Sequence, residues 1–386
     1  MIVAMKKLKE NPLLQIVILL ALIVSTILFL IVDSRYVAPK RVTRRNEELS
    51  DLKIPRQMDQ VDILFFSDLE YGTFVDEERL HSLCDAISNA SAEVVIFGGD
   101  LFENNASPNE ESIALLKKEL SAIDAPLGKF AVYGDNDHKN EETLAAVTDI
   151  LESSGFEILN NRSILVHNKD SQAITLVGLD NGLNGVQDIT AAYANVSRNS
   201  YVITVCHTPD SANKVPGDIT DYFLSGHSHG GQVYYIFGAS YTPAMATEYL
   251  RGKHSISGDF TLDITNGTGT ALHDARFLAY SEYVVYTLVS EAPLPTPTPA
   301  PTPTPAPAAP EETEAAEEPA VQEPSGEEPA SEEPVSEEPV SEEPVEEPYE
   351  EPYEEPYEEP YEEPYEEPTG EETYDEGGEE VPEGGQ

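Results

Sequence analysis

The stretch Gly226-His227-Ser228-His229-Gly230-Gly231-Gln232 sets two imidazoles two residues apart, directly after the apolar run Tyr222-Phe223-Leu224. A strand delivers the chain to a tight turn there, and the glycines let the backbone bend and approach closely. Two imidazoles released from such a turn can bind metal at one place. A surface turn that happens to hold two histidines has the same pattern, so the other strand ends must separate the two readings. The apolar run 61–66 ends in Ser67-Asp68-Leu69-Glu70. The run 93–97 ends in Gly98-Gly99-Asp100, and the run 129–133 in Gly134-Asp135-Asn136-Asp137-His138. The run 201–205 ends in Cys206-His207. Ligands of open α/β sheets bind beyond the carboxyl ends of strands. Three histidines and four carboxylates at five such ends are hard to account for as turns, and they point to a metal site.

The elements that must position these ends follow from periodicity. Strand-like runs alternate with helical ones from Val61 to about Ser290. Leu80, Leu83, Cys84 and Ile87 share one face of a helix over 76–90, and Ile113, Leu116, Leu120 and Ile123 one face of a helix over 109–123. A third helix over 141–154 is stopped by Gly155 and carries acids in its first turn. Further strands are expected at 174–177, 233–237, 260–264 and 284–289. Such alternation predicts a layered α/β protein with helices covering sheet.

The chain has 386 residues and a net charge of -50, unevenly spread. Residues 291–386 hold 34 acids and no Lys or Arg, leaving 38 acids against 22 bases in residues 1–290. No basic face for nucleic acid is expected. Cys84 and Cys206 sit in apolar contexts and read as small core residues. Residues 13–32 carry no charge and are long enough to cross a bilayer as a helix. They read as a retained signal anchor following a short segment, 1–12, so the expected location is a single-pass cell-membrane protein. Lysines 6, 7 and 9 precede the anchor and Arg35, Lys40, Arg41, Arg44 and Arg45 follow it, so charge does not settle orientation. The tail favours an extracytoplasmic domain. Residues 33–60 read as a basic juxtamembrane connector, either solvated or resting on anionic headgroups. Residues 291–386, Pro/Thr-rich and then Glu/Pro/Tyr repeats, read as a disordered tail.

The ordered set of strand ends resembles the calcineurin-like metallophosphoesterases, in the membrane-associated branch whose last motif reads Gly-His-x-His-Gly-Gly-Gln. The resemblance runs over about 60–290. It takes in Ala125-Pro126-Leu127-Gly128, Gly178-Leu179-Asp180, Asn266-Gly267-Thr268-Gly269, Arg276-Phe277 and Ser281-Glu282. It implies a two-sheet β-sandwich core flanked by helices, with domain 61–290 holding two divalent metal ions at the sheet edge. By motif, Asp68, Glu70 and His229 would bind the first metal. Asp100 would bridge, and Asp135, His207 and His227 would bind the second. Two such cations clamp a phosphate and lower the pKa of a bridging water.

Three positions depart from the family pattern. Glu70 stands where the family has His, Asp135 where it has Asn, and Asn136 where it has the His thought to protonate the leaving group. The extra carboxylates favour hard ions, namely Mn, Mg or Fe. They also bring four carboxylates against two divalent cations, so the site's net charge falls near zero. Asn136 cannot donate a proton as an acid, a role worth about 10²–10⁴ in rate. His138 is either its substitute or a surface residue at a helix start. The function expected is therefore a membrane-anchored, metal-dependent phosphohydrolase acting on a phosphorylated small-molecule or lipid substrate in the envelope. The alternative is a catalytically attenuated metal-binding scaffold or ligand-binding domain of the same fold.

Overall fold

The computed structural model describes residues 11–169, 171–235, 237–257 and 260–293. The first lysines and nearly all of the acidic tail lie outside the described residues. Helix α1, Pro12–Val32, is capped by Asn11, whose side-chain oxygen accepts from Leu14 N–H at 3.2 Å. None of its residues is buried. The chain continues through helical turns at Asp33–Val37 and Ala38–Lys40 into the domain.

Two six-stranded sheets follow. The first has the order β1 (Thr43–Asp51), β14 (Glu282–Ser290), β2 (Asp62–Phe66), β3 (Val94–Phe97), β4 (Gly128–Ala131), β5 (Phe156–Ile158). The second runs β12 (Gly252–Ile256), β13 (Phe260–Ile264), β9 (Tyr222–Ser225), β8 (Val202–Val205), β7 (Ala173–Gly178), β6 (Arg162–His167). A small hairpin joins β10 (Tyr234–Tyr235) to β11 (Gly238–Ala239). In the first sheet β2, β3, β4 and β5 pair in parallel, and in the second β7, β8, β9 and β13 do. The carboxyl ends within each parallel set therefore share one edge.

Alternation along the strands sets the layers. Ile63, Phe65, Val94, Ile96 and Phe130 face inward and pack with Ile174, Leu176, Ile203, Val205 and Leu224 of the other sheet. Leu64, Phe66, Val95 and Phe97 face outward, onto α2 (Glu77–Ala90), α3 (Glu110–Ser121) and α4 (Glu141–Ser153). The short α5, Ile189–Tyr193, covers the second sheet through Ala192 and Tyr193. Each of α2, α3 and α4 begins on a side-chain cap: Asp76, Asn109 and Asn140 accept from Arg79, Ser112 and Thr143 N–H. Cys84 and Cys206 are buried and unbridged.

Within the segment read as connector, 43–51 is a strand. It pairs in parallel with β14 in a register from Thr43–Glu282 to Asp51–Ser290. Its polar alternation is that of an edge strand with one wetted face. Arg45 does not reach toward lipid. It makes a bidentate pair with Asp263 of the other sheet, both bonds 2.9 Å. The same carboxylate accepts from Tyr286 at 2.9 Å and Tyr222 at 3.2 Å.

Candidate metal centre

The five strand ends meet at the edge where the two sheets face each other. From the first sheet, β2 supplies Asp68 and Glu70, β3 supplies Asp100, and β4 supplies Asp135. From the second, β8 supplies His207 and β9 supplies His227 and His229. The donors form two groups, Asp100–Asp135–His207–His227 and Asp68–Glu70–His229, and within each the donor atoms lie within 4.8 Å of one another. His207 Nε2 is 3.1 Å from Asp100 Oδ2, 3.3 Å from Asp135 Oδ1 and 3.9 Å from Asp68 Oδ1. His227 Nδ1 is 2.9 Å from Asp135 Oδ1. His229 Nε2 is 3.3 Å from Glu70 Oε1 and 3.6 Å from Asp68 Oδ1.

The backbone is bent to achieve this. Asp68, Glu70, Asp100, His227 and His229 all have φ between 51° and 67°. Left-handed non-glycine residues cost about 1–3 kcal/mol each at strained positions and persist where surrounding structure holds them. Gly134 and Gly226 leave the room. A Cβ on Gly134 would fall 2.0 Å from Asp100 Oδ1, and one on Gly226 2.5 Å from Asp68 Oδ2.

Carbonyl partners assign the histidine protons. His207 Nδ1 donates to Gly98 O at 2.7 Å, which turns the Nε2 lone pair inward. His227 Nε2 donates to Ala244 O at 2.8 Å, which turns Nδ1 inward. His229 differs: its Nδ1 lies 3.3 Å from Nη2 of Arg276, a group that only donates.

The donor set fits a cation. Asp68 Oδ2, Asp135 Oδ1 and His207 Nε2 are buried without any well-formed hydrogen bond. Such atoms cost about 1–3 kcal/mol each when unsatisfied, and all three belong to residues of the two donor groups. The electrostatics agree. Burial, then Asp100 and Asp68, push Glu70 well above the usual carboxylate range. Burial pushes Asp100 up to about 7 against the pull of His207. Asp135 is driven the other way: burial is outweighed by the imidazoles of His207 and His227 beside it, which hold it far below the usual range. Burial, then the charge of Arg276, pulls His229 down to about 3 against the pull of Asp68.

Three further residues complete the site and had no assigned role at the level of sequence. Asp137 Oδ2 accepts from Asp100 N–H at 3.0 Å and Gly134 N–H at 2.8 Å, and its Oδ1 accepts from Leu101 N–H at 2.9 Å. It stitches two ligand loops together. Arg276 is wholly buried and donates to the carbonyls of His229, Asn266, Gly269 and Ala279. Only its place in the Arg276-Phe277 resemblance hinted at it. Tyr241 meets the His229 ring edge-on at 6.0 Å. Burial, then Asp135, Glu70 and Asp100, keep its phenol protonated well above the usual range. No spacing in the sequence singles it out.

Asn136 donates its backbone N–H to Asp100 Oδ1 at 2.9 Å and places Nδ2 3.3 Å from both Glu70 oxygens. The imidazole of His138 turns to Asp180, 2.9 Å away, and packs edge-on to Tyr133.

The fold and the site thus define a two-sheet α/β protein with a carboxylate- and histidine-rich candidate metal centre. Sequence comparison adds what the chain is similar to. The chain is 28% identical over 260 residues to the uncharacterized metallophosphoesterase YkuE of Bacillus subtilis, covering 67% of this chain and 89% of that protein. It is 28% identical over 233 residues to the phosphodiesterase YaeI of Escherichia coli, covering 59% of this chain and 82% of that one. Among solved structures it matches the calcineurin-like phosphoesterase YfkN of Bacillus subtilis at 13% identity and TM-score 0.33, covering 54% of this chain and 82% of that one. No protein-family model matches. The chain is thus similar to curated metallophosphoesterases and phosphodiesterases over 59–67% of its length.

Proposed function

We propose that the protein is a membrane-anchored, divalent-metal-dependent phosphohydrolase that cleaves a phosphoester or pyrophosphate bond in an envelope substrate. The observation that carries this reading is the set of seven inward donors, three of whose buried atoms make no well-formed hydrogen bond. Asp68, Glu70 and His229 would hold one ion, His207, His227 and Asp135 the other, with Asp100 between them. Oxygen-rich donors suit Mn, Mg or Fe. When bound, such ions supply positive charge for the phosphate oxygens and a lowered pKa for an attacking water. Tyr241 holds a phenolic proton beside the carboxylate cluster, where it can donate a hydrogen bond to a phosphate oxygen. Asn136 orients Glu70. Helix α1 serves as the anchor, with the domain on the extracytoplasmic side. Its 21 residues span about 30 Å.

The test is Mn²⁺-dependent hydrolysis of a chromogenic phosphodiester by the full-length protein, with Asp100→Ala as control. Turnover that vanishes in the control is expected. Metal bound without turnover sinks the hydrolase reading.

A second reading, a metal-holding scaffold with attenuated chemistry, is favoured by one observation. The amide of Asn136 lies against Glu70 and carries no acidic proton. Under that reading Asn136→His, combined with Glu70→His and Asp135→Asn, raises turnover by about 10²-fold or more. An unchanged rate counts against it.

A further inference from the structure

Where α1 joins the domain, three segments run side by side. Arg276 N–H donates to Ser34 O at 2.8 Å, and Arg35 pairs with Asp274. Thr43 N–H donates to Ser281 O at 2.8 Å. The segment 272–281 therefore lies along the exit of the helix. Phe277 in turn pairs with Val233, and Tyr234 N–H donates to Phe277 O at 2.8 Å, so the β10–β11 hairpin lies next in line.

These segments leave large apolar side chains in the open. Phe237 at the hairpin tip is 94% exposed and Leu272 is 56% exposed. Tyr36, Val37, Tyr235 and Leu278 are exposed beside them. Cations sit among the aromatics: Arg251 lies 4.6 Å from the ring centroid of Tyr234, and Arg41 lies 5.2 Å from that of Tyr280. Lys40 and Arg41 also line a cleft of about 270 Å³ between the helix exit and the domain. Aromatic rings with basic groups, at the end of a fully exposed apolar helix, are the composition of a membrane interface. A water-facing patch of this kind would be costly for a soluble surface.

We infer that the segment 272–281 and the hairpin residues Tyr235, Phe237 and Gly238 form an interfacial patch that rests on an anionic bilayer and holds the domain against the membrane by a contact separate from α1. The inference rests on the reading of α1 as a membrane anchor. It has a consequence for the site. Arg276 and Gln232 link the patch directly to the His229 loop, since Gln232 Nε2 donates to Ala271 O and His273 O and its N–H to His229 O. The metal centre is thereby held at the lipid surface, where a phosphate carried by an amphiphile is presented.

The chain contains no tryptophan, so single tryptophans report position cleanly. The full-length protein is reconstituted into vesicles of phosphatidylcholine and phosphatidylglycerol with brominated acyl chains. Phe29→Trp reports α1 itself. Phe237→Trp and Leu272→Trp report the patch. Leu165→Trp reports the far end: Leu165 shares a cleft with Leu52, just beyond β1, whose nine residues carry the chain about 30 Å from the helix exit. The expected result is a blue shift and strong quenching for Phe29→Trp, Phe237→Trp and Leu272→Trp, with Leu165→Trp unaffected. Quenching of Phe29→Trp alone overturns the patch and leaves the anchor standing. Escape of Phe29→Trp overturns the anchor and the patch together. Metal-dependent hydrolysis, measured on the same samples, reports separately on the phosphohydrolase reading.

Discussion

Nη2 of Arg276 lies 3.3 Å from Nδ1 of His229, and Nη1 bonds the carbonyl of the same residue at 3.1 Å. One buried guanidinium thus faces the ring of His229 and holds its backbone. Its two terminal nitrogens, Nη1 and Nη2, reach carbonyls of the 266–269 loop as well. Lysine has no such planar fork. Arg276→Lys is expected to weaken binding of Mn²⁺ at the Asp68–Glu70–His229 half by about 10–100-fold, because the His229 and 266–269 loops lose the carbonyl bonds that position the ligand. Calorimetric titration of the metal-free protein checks this, and wild-type affinity in the variant would refute it.

Asp137 binds three backbone N–H groups from two ligand loops. Asp137→Ala strands all three in the interior, at about 1–3 kcal/mol each. A stability loss of about 3 kcal/mol or more is expected in urea unfolding, together with loss of metal affinity. A loss confined to metal affinity would mean that the loops are held without it.

Asp100 titrates near 3.8 in an unfolded chain and near about 7 in the metal-free fold. Between those values the folded state holds a proton that the unfolded state has released. Its contribution therefore destabilises the metal-free fold increasingly as pH rises through that window. His229, held down near 3, acts in the opposite sense below its ordinary value of 6.5, so the total curve mixes signs. The difference between Asp100→Asn and wild type isolates the one group. The variant's advantage in thermal melts with chelator is expected to be smallest near pH 4 and largest above pH 7. A constant difference would contradict the assignment. Added Mn²⁺ should reverse the ranking above pH 7.

Tyr241 offers a neutral hydroxyl beside His229. Tyr241→Phe is expected to lower kcat/KM for a phosphodiester about tenfold, the scale of one hydrogen bond. Mn²⁺ affinity should be unchanged. An equal loss of metal binding would place its role in the metal site rather than at the substrate.

Much of this site is legible along the chain because strand ends are local features. An apolar run, a glycine and an acid or imidazole are adjacent in sequence, and the parallel sheets place such ends on one edge. Strand β1 was illegible for the opposite reason. Thr43–Asp51 is polar and charged, and what makes it a strand is its pairing with β14, more than 230 residues away. Arg45 looks like one more juxtamembrane cation until Asp263 is brought beneath it.

The amino-acid sequence by itself determined which groups are brought together: four carboxylates and three imidazoles, each set at a strand end by its neighbours. Only the tertiary structure decided how they are held. His207 turns Nε2 inward because Gly98 takes the proton on Nδ1, and His227 turns Nδ1 inward because Ala244 takes the proton on Nε2. His138 turns to Asp180, and Arg276 closes on His229. Most of these partners come from other loops, and a hydrogen bond needs its donor and acceptor at about 3 Å. Distances of that kind are set by the packing of two sheets, and no local pattern encodes them.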